Sequence, residues 1–172
     1  MDSKSIAGQV FSFLIYIFVQ VLLMRYFVLF EGVAACFVYI SFLLLLPFET
    51  GSVLLLLLGF ATGLLTDIFY DTLGIHAAAC VMLAFLRPLV IRLLTPRGGY
   101  EDNSIISLNY MGISWFVPYA FLLVLVHHLV LFFAEAAKLS LFFPTLLKVV
   151  ASSLFTTLLI VILQYLFYKN KY

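Results

Sequence analysis

The run SVLLLLLGFATGLLTDIFYDTLGIHAAACVMLAFL, from Ser52 to Leu86, decides the fold. Its only charged residues are Asp67 and Asp71. A bilayer core about 30 Å thick needs about 20 apolar residues in a helix. The run holds two such stretches, joined by a polar turn from Tyr70 to Ile75. Continuous apolarity, without the alternation of a barrel wall, selects helices.

The rest of the chain repeats this pattern. Hydrophobic residues make up 66% of the 172 and charged residues 10%. A soluble domain carries about a quarter charged residues, so this chain lacks the polar surface to coat a water-facing globule. The net charge of +1 gives no footprint for nucleic acid. Cys36 and Cys80 both lie inside apolar runs and form neither a disulfide framework nor a metal-ligand spacing.

Six runs approach spanning length: Ile6–Met24, Val33–Leu46, Ser52–Phe69, His76–Leu94, Met111–Ala134 and Thr145–Tyr168. The expectation is an all-α integral membrane protein of about six transmembrane helices, with residues 1–172 as one polytopic domain. The first run ends in Leu22-Leu23-Met24-Arg25-Tyr26, without a small-residue cleavage site, and reads as a retained span. The second run is short and stops at Pro47. Its residues leave open whether it reaches back to Tyr26, past Glu31, or re-enters as a hairpin.

Lys and Arg in short loops set orientation. With six spans, one side collects Lys4, Arg92, Arg97, Lys169 and Lys171, and the other Arg25, Lys138 and Lys148. Both termini are then expected in the cytoplasm; a re-entrant second run would turn the N-terminus outward. The C-terminus and the polar loop Thr95–Asn109, with Glu101 and Asp102, stay inside either way. Tyr110, Trp115, Tyr165, Tyr168 and Tyr172 mark the inner interface.

Polar residues inside apolar runs are the candidate sites. Gly59 and Gly63 form a Gly-xxx-Gly pair, which lets a neighbouring helix backbone approach closely. Asp67 continues that row, and Asp71 extends it if the helix persists. Gly74 suits the turn into the next helix. Asp67 reads in two compatible ways: a partner-binding or coupling group, or a helix-end carboxylate bonded to the next turn near the N-terminus of the fourth helix. Asp67, Asp71 and His76 fit no specific metal-ligand pattern. His127 and His128 sit mid-span about 100° apart, so they do not line one site in the same way. A hydrogen-bonded imidazole between helices is the structural reading there, and a proton relay the functional one. Arg87, beside the kinking Pro88, must snorkel or pair, with Glu49 the expected partner. Lys148 can snorkel at the start of the sixth span. No phosphate loop, nucleophile elbow or zinc-protease motif is present.

At Gly59–His76 the chain resembles the rod shape-determining protein MreD family of bacteria, through Gly59, Gly63, Asp67, Leu73 and Gly74. Phe30-Glu31-Gly32 and Asp71 depart from that family's pattern. The resemblance implies a non-enzymatic, cofactor-free component of the cell-elongation machinery in the bacterial inner membrane. Its partners would be an MreC-like bitopic protein and the peptidoglycan transpeptidase and glycosyltransferase of the side wall, with membrane lipid around it. On this reading the Gly59–Gly63–Asp67 face holds a partner helix, and Asp67 orients the contact. The implied fold resembles the substrate-binding component of energy-coupling-factor transporters. A subunit of such a transporter is the alternative function, but the Ala-xxx-Ala coupling motif of its first span is missing from Ile6–Met24.

Overall fold

The computed structural model describes residues 6–29, 32–101 and 104–167. Lys4, Glu31, Asp102, Tyr168, Lys169, Lys171 and Tyr172, used above for topology and the aromatic belts, lie outside the described residues. Helix α1 (Ile6–Leu22) leads through a 3-10 turn (Met24–Tyr26) into a short hairpin of β1 (Val28–Leu29) and β2 (Ala34–Ala35). The strands are antiparallel, with Val28 opposite Ala35 and Leu29 opposite Ala34. Then come α2 (Ile40–Leu44), α3 (Ser52–Tyr70), α4 (Ile75–Leu93), α5 (Leu108–Met111), α6 (Ile113–Ala136), a second 3-10 turn (Leu139–Leu141) and α7 (Phe142–Phe167).

Four helices, α3, α4, α6 and α7, are long and apolar enough to cross a membrane, compatible with an all-α membrane protein. Helix α1 has 17 residues, which reach about 26 Å. Consecutive long helices pack side by side, α3 on α4, α4 on α6 and α6 on α7, while α1 packs on α2 and α3. Polarity is inverted relative to a soluble bundle. Leu57, Phe85, Leu89, Leu154 and Leu158 face outward, and Gln20, Thr62, Thr66, His127, His128, Ser152 and Thr156 are buried. In a bilayer this is the favourable order, because lipid solvates leucine and polar side chains find partners only inside.

The second apolar run differs from a helix along its length. Only Ile40–Leu44 is helical, and Ala34–Ala35 pairs as a strand. Yet Ala34, Leu46 and the whole stretch 36–44 are buried. Phe37 lies against Tyr70 and His76 at one end of the bundle, and Phe48 against Tyr100 and Trp115 at the other. The physical reason is length. Fourteen helical residues cover about 21 Å, whereas extended backbone rises about 3.3 Å per residue. Partial unwinding lets a short run travel the height of its neighbours.

Helices α3 and α4 form a tight antiparallel hairpin. Helix α3 ends on Asp71 in the left-handed region (φ 57°), with the Asp71 and Thr72 N–H groups both donating to Asp67 O. Aspartate tolerates that conformation better than most residues. Gly74, at φ 85°, then opens α4. The Gly-xxx-Gly row faces α4. A Cβ at Gly59 would stand 3.0 Å from Ala84 Cβ and from Cys80 O. One at Gly63 would overlap the α4 backbone at His76 O and Ala77 Cα. The face expected to hold a partner helix is therefore covered by α4 of the same chain.

These contacts rank two substitutions. Gly63→Ala forces backbone apart and should destabilise by about 1–3 kcal/mol, more than any gain in helix propensity offsets. Gly59→Ala meets the Ala84 methyl and the Cys80 carbonyl oxygen in tight contact but without the overlap found at Gly63, and should cost less. Thermal midpoints of the purified variants in detergent check this, and equal midpoints would refute the ranking.

Candidate functional site around the unwound segment

An extended backbone inside an apolar bundle must find hydrogen-bond partners, since neither lipid nor a helix supplies them. Four helices supply them here. From α1, Gln20 Nε2 donates to Cys36 O at 3.1 Å, and Gln20 Oε1 accepts from Tyr39 N at 3.4 Å. From α7, Ser152 Oγ accepts from Ala35 N at 3.0 Å and Thr156 Oγ1 from Phe37 N at 3.2 Å. From α6, the Tyr119 hydroxyl donates to Leu44 O at 2.8 Å. From α4, Arg87 donates to the carbonyls of Leu46 and Pro47, and its Nε donates to Tyr119 Oη at 2.9 Å. The carbonyls that follow α2 thus meet a guanidinium, a cation beyond the C-terminal end of that short helix.

Above this scaffold sits a cluster of rings. The Tyr39 hydroxyl lies 2.9 Å from His76 Nδ1 and 2.8 Å from His127 Nε2. Cys80 Sγ donates to the same oxygen at 3.7 Å. His128 bonds Val124 O through Nδ1 and Thr156 Oγ1 through Nε2. Phe37 packs among His76, His127 and His128, with ring centroids 5.4, 6.3 and 5.5 Å away. His127 Nδ1 is buried without a partner. Over the cluster, at the Tyr70 end, opens a cavity of about 280 Å³ whose lining includes Cys36, Phe37, His76, Phe132, Glu135 and Lys148.

Each residue singled out in the sequence has a definite place. Asp67 is buried, with Oδ1 accepting from Thr72 Oγ1 (2.5 Å) and His76 N (3.0 Å), and Oδ2 from Ala77 N (2.9 Å). It caps the first turn of α4 from the neighbouring helix, which is the helix-end reading. Asp71 is exposed at the turn, and the His76 ring points to Tyr39, so Asp67, Asp71 and His76 do not share a site. His127 and His128 take different partners, Tyr39 for one and Val124 O and Thr156 for the other, while the unwound segment places Phe37 against both rings. Arg87 does not pair with Glu49, which is exposed; its partners are Tyr119 and two carbonyls. Helix α4 continues through Pro88. Lys148 pairs with Glu135 at 3.1 Å and sits 4.4 Å over the Phe132 ring. Among the described residues, no group of three His, Cys, Asp or Glu side chains is placed to hold a metal ion.

Gln20, Tyr39, Ser152 and Thr156 were not singled out in the sequence. A signal was there for two of them. Ser152 and Thr156 stand four apart on an apolar helix, which puts two hydroxyls on one inward stripe.

The hydrogen-bond pattern separates two buried polar residues. Gln20→Leu strands the Cys36 carbonyl and the Tyr39 N–H and should cost about 2–4 kcal/mol. Ser41 Oγ is buried without a partner, so Ser41→Ala should be neutral or stabilising. Denaturant unfolding in mixed micelles checks both, and equal stability of the two variants would refute the assignment. No protein-family model, no curated protein and no solved structure matches the chain.

Proposed function

We propose that the chain is a non-enzymatic, multi-pass component of the cell-elongation machinery in the bacterial inner membrane, similar to MreD. It would scaffold an MreC-like bitopic protein together with the side-wall transpeptidase and glycosyltransferase. The observation that carries this reading is the division of labour within the Gly59–Gly74 run. Gly59, Gly63, Asp67 and Gly74 are all engaged in building the α3–α4 hairpin. At the turn, Leu73 projects fully exposed beside the exposed Asp71. A rigid hairpin presenting an apolar tip suits a protein that works by holding others. The test is co-purification of the MreC-like protein with wild type and with Leu73→Ser, whose fold the substitution leaves untouched. Recovery should fall about tenfold, and equal recovery would overturn the docking role of the tip.

The reading includes six crossings, the second made by the unwound segment, with both termini cytoplasmic. Arg92 and Arg97 lie at one end of the bundle, and the turn Tyr70–Ile75 lies at the other. Single cysteines at Asp71 and Gly98, in a background lacking Cys36 and Cys80, test this. An impermeant thiol reagent should label Asp71→Cys in intact spheroplasts and Gly98→Cys only after permeabilisation; the reverse would overturn the topology.

The cavity favours a second reading, the substrate-binding membrane subunit of an energy-coupling-factor type transporter. Co-purification of an ATPase pair with a coupling subunit, in place of wall-synthesis enzymes, would select it.

A further inference from the structure

Scaffolding gives the cavity at the Tyr70 end no task, and its chemistry follows from placing the protons around Tyr39. His128 Nδ1 lies 2.7 Å from Val124 O, and a carbonyl only accepts, so this nitrogen carries the hydrogen. Its Nε2 then accepts from Thr156 Oγ1. His127 has two possible arrangements. If Tyr39 donates to its Nε2, its Nδ1 carries a buried N–H with no acceptor. If His127 donates to Tyr39, Nδ1 keeps only a lone pair. Unpaired buried N–H groups are the rarer case, which selects the second arrangement. Cys80 Sγ donates to the other Tyr39 lone pair. The Tyr39 proton therefore goes to His76 Nδ1, and a neutral His76 carries its own hydrogen on Nε2.

His76 is among the residues that line the cavity, and with Nδ1 taken by Tyr39 the Nε2 N–H is the ring donor it has left to offer there. Lys148 lines it too, with one of its three N–H donors on Glu135. Three other polar groups of the lining are engaged: Cys36 O and the Tyr70 hydroxyl oxygen accept from Gln20, and the Thr72 hydroxyl donates to Asp67. Among the described residues of the lining, Glu135 is the opposing charge, more than half exposed. Phe37, Ile75, Leu131 and Phe132 supply apolar wall. The volume of about 280 Å³ equals roughly nine waters at about 30 Å³ each. The cavity interior admits a head group and a few carbons.

We propose that this cavity binds an amphiphile by a phosphate or carboxylate oxygen, held between His76 Nε2–H and Lys148 Nζ, with its first carbons against Phe37 and Phe132. The full chain in maltoside micelles is titrated with dodecyl phosphate, dodecanol and inorganic phosphate. Thermal midpoint and the ¹⁵N resonances of the histidines are followed. Dodecyl phosphate should raise the midpoint saturably and move the His76 Nε2 resonance. Lys148→Met should weaken this about tenfold, while Lys148→Arg keeps it. The midpoint of each variant without probe reports its folding separately. An equal response to dodecanol would overturn the role of the two donors. An equal response to inorganic phosphate would overturn the amphiphile, and no response to dodecyl phosphate would overturn the site. Native mass spectrometry from phosphatidylglycerol vesicles identifies the source. A retained lipid supports a membrane origin, and binding of dodecyl phosphate without retained lipid supports a free amphiphile.

Discussion

An unwound backbone in an apolar bundle must be hydrogen-bonded or it cannot stay there. From Ala34 to Pro47 the chain gives up most helical hydrogen bonding, and leaving one such group unpaired in a bilayer costs several kcal/mol. The polar interior follows from that constraint. Gln20, Tyr119, Ser152, Thr156 and Arg87 are each buried, and each reaches the backbone of this one segment. They come from α1, α6, α7 and α4, so the segment also sets how those helices face one another. Arg87 shows how strict the demand is. It is buried and bonds no carboxylate among the described residues, and the carbonyl oxygens of Leu46 and Pro47, just past α2, take the place of a counter-ion.

The α3–α4 hairpin solves a different problem with other means. Two antiparallel helices joined by a short turn need close backbones and a capped second helix. Gly59 and Gly63 remove side-chain bulk where the backbones meet, and Asp67 supplies the acceptors that the first N–H groups of α4 require. Three donors converge on the carboxylate, which is why it is tolerated buried. This hairpin carries one wall of the cavity, through Tyr70, Thr72, Ile75 and His76.

The sequence makes some of this legible and hides the rest for identifiable reasons. The apolar runs on α3, α4, α6 and α7 are long enough to declare themselves, and the small-residue row with its aspartate marks a packing face. That the face meets the next helix depends on the sharp turn at Asp71 and Gly74, which periodicity does not encode. The second run is too short for its apolarity to separate helix from extended chain. Its partners lie up to 119 positions away, and a single Gln20 or Tyr39 in an apolar stretch gives no warning of its role. Charge pairing pointed Arg87 towards Glu49, because backbone carbonyls bear no signature in a sequence.

The same remoteness bears on how the protein comes to be made. Residues 34–46 leave the ribosome long before α7 exists, and Phe37 must wait for Thr156, 119 positions later. At about 5–20 residues per second that is roughly 6–24 s of synthesis. During that interval the segment has neither the length of an ordinary span nor the partners that make its unwound form tolerable. Its final path through the bundle is therefore a late event of biogenesis, completed only when the last helix arrives, and a chain truncated before Thr156 would lack the means to hold it.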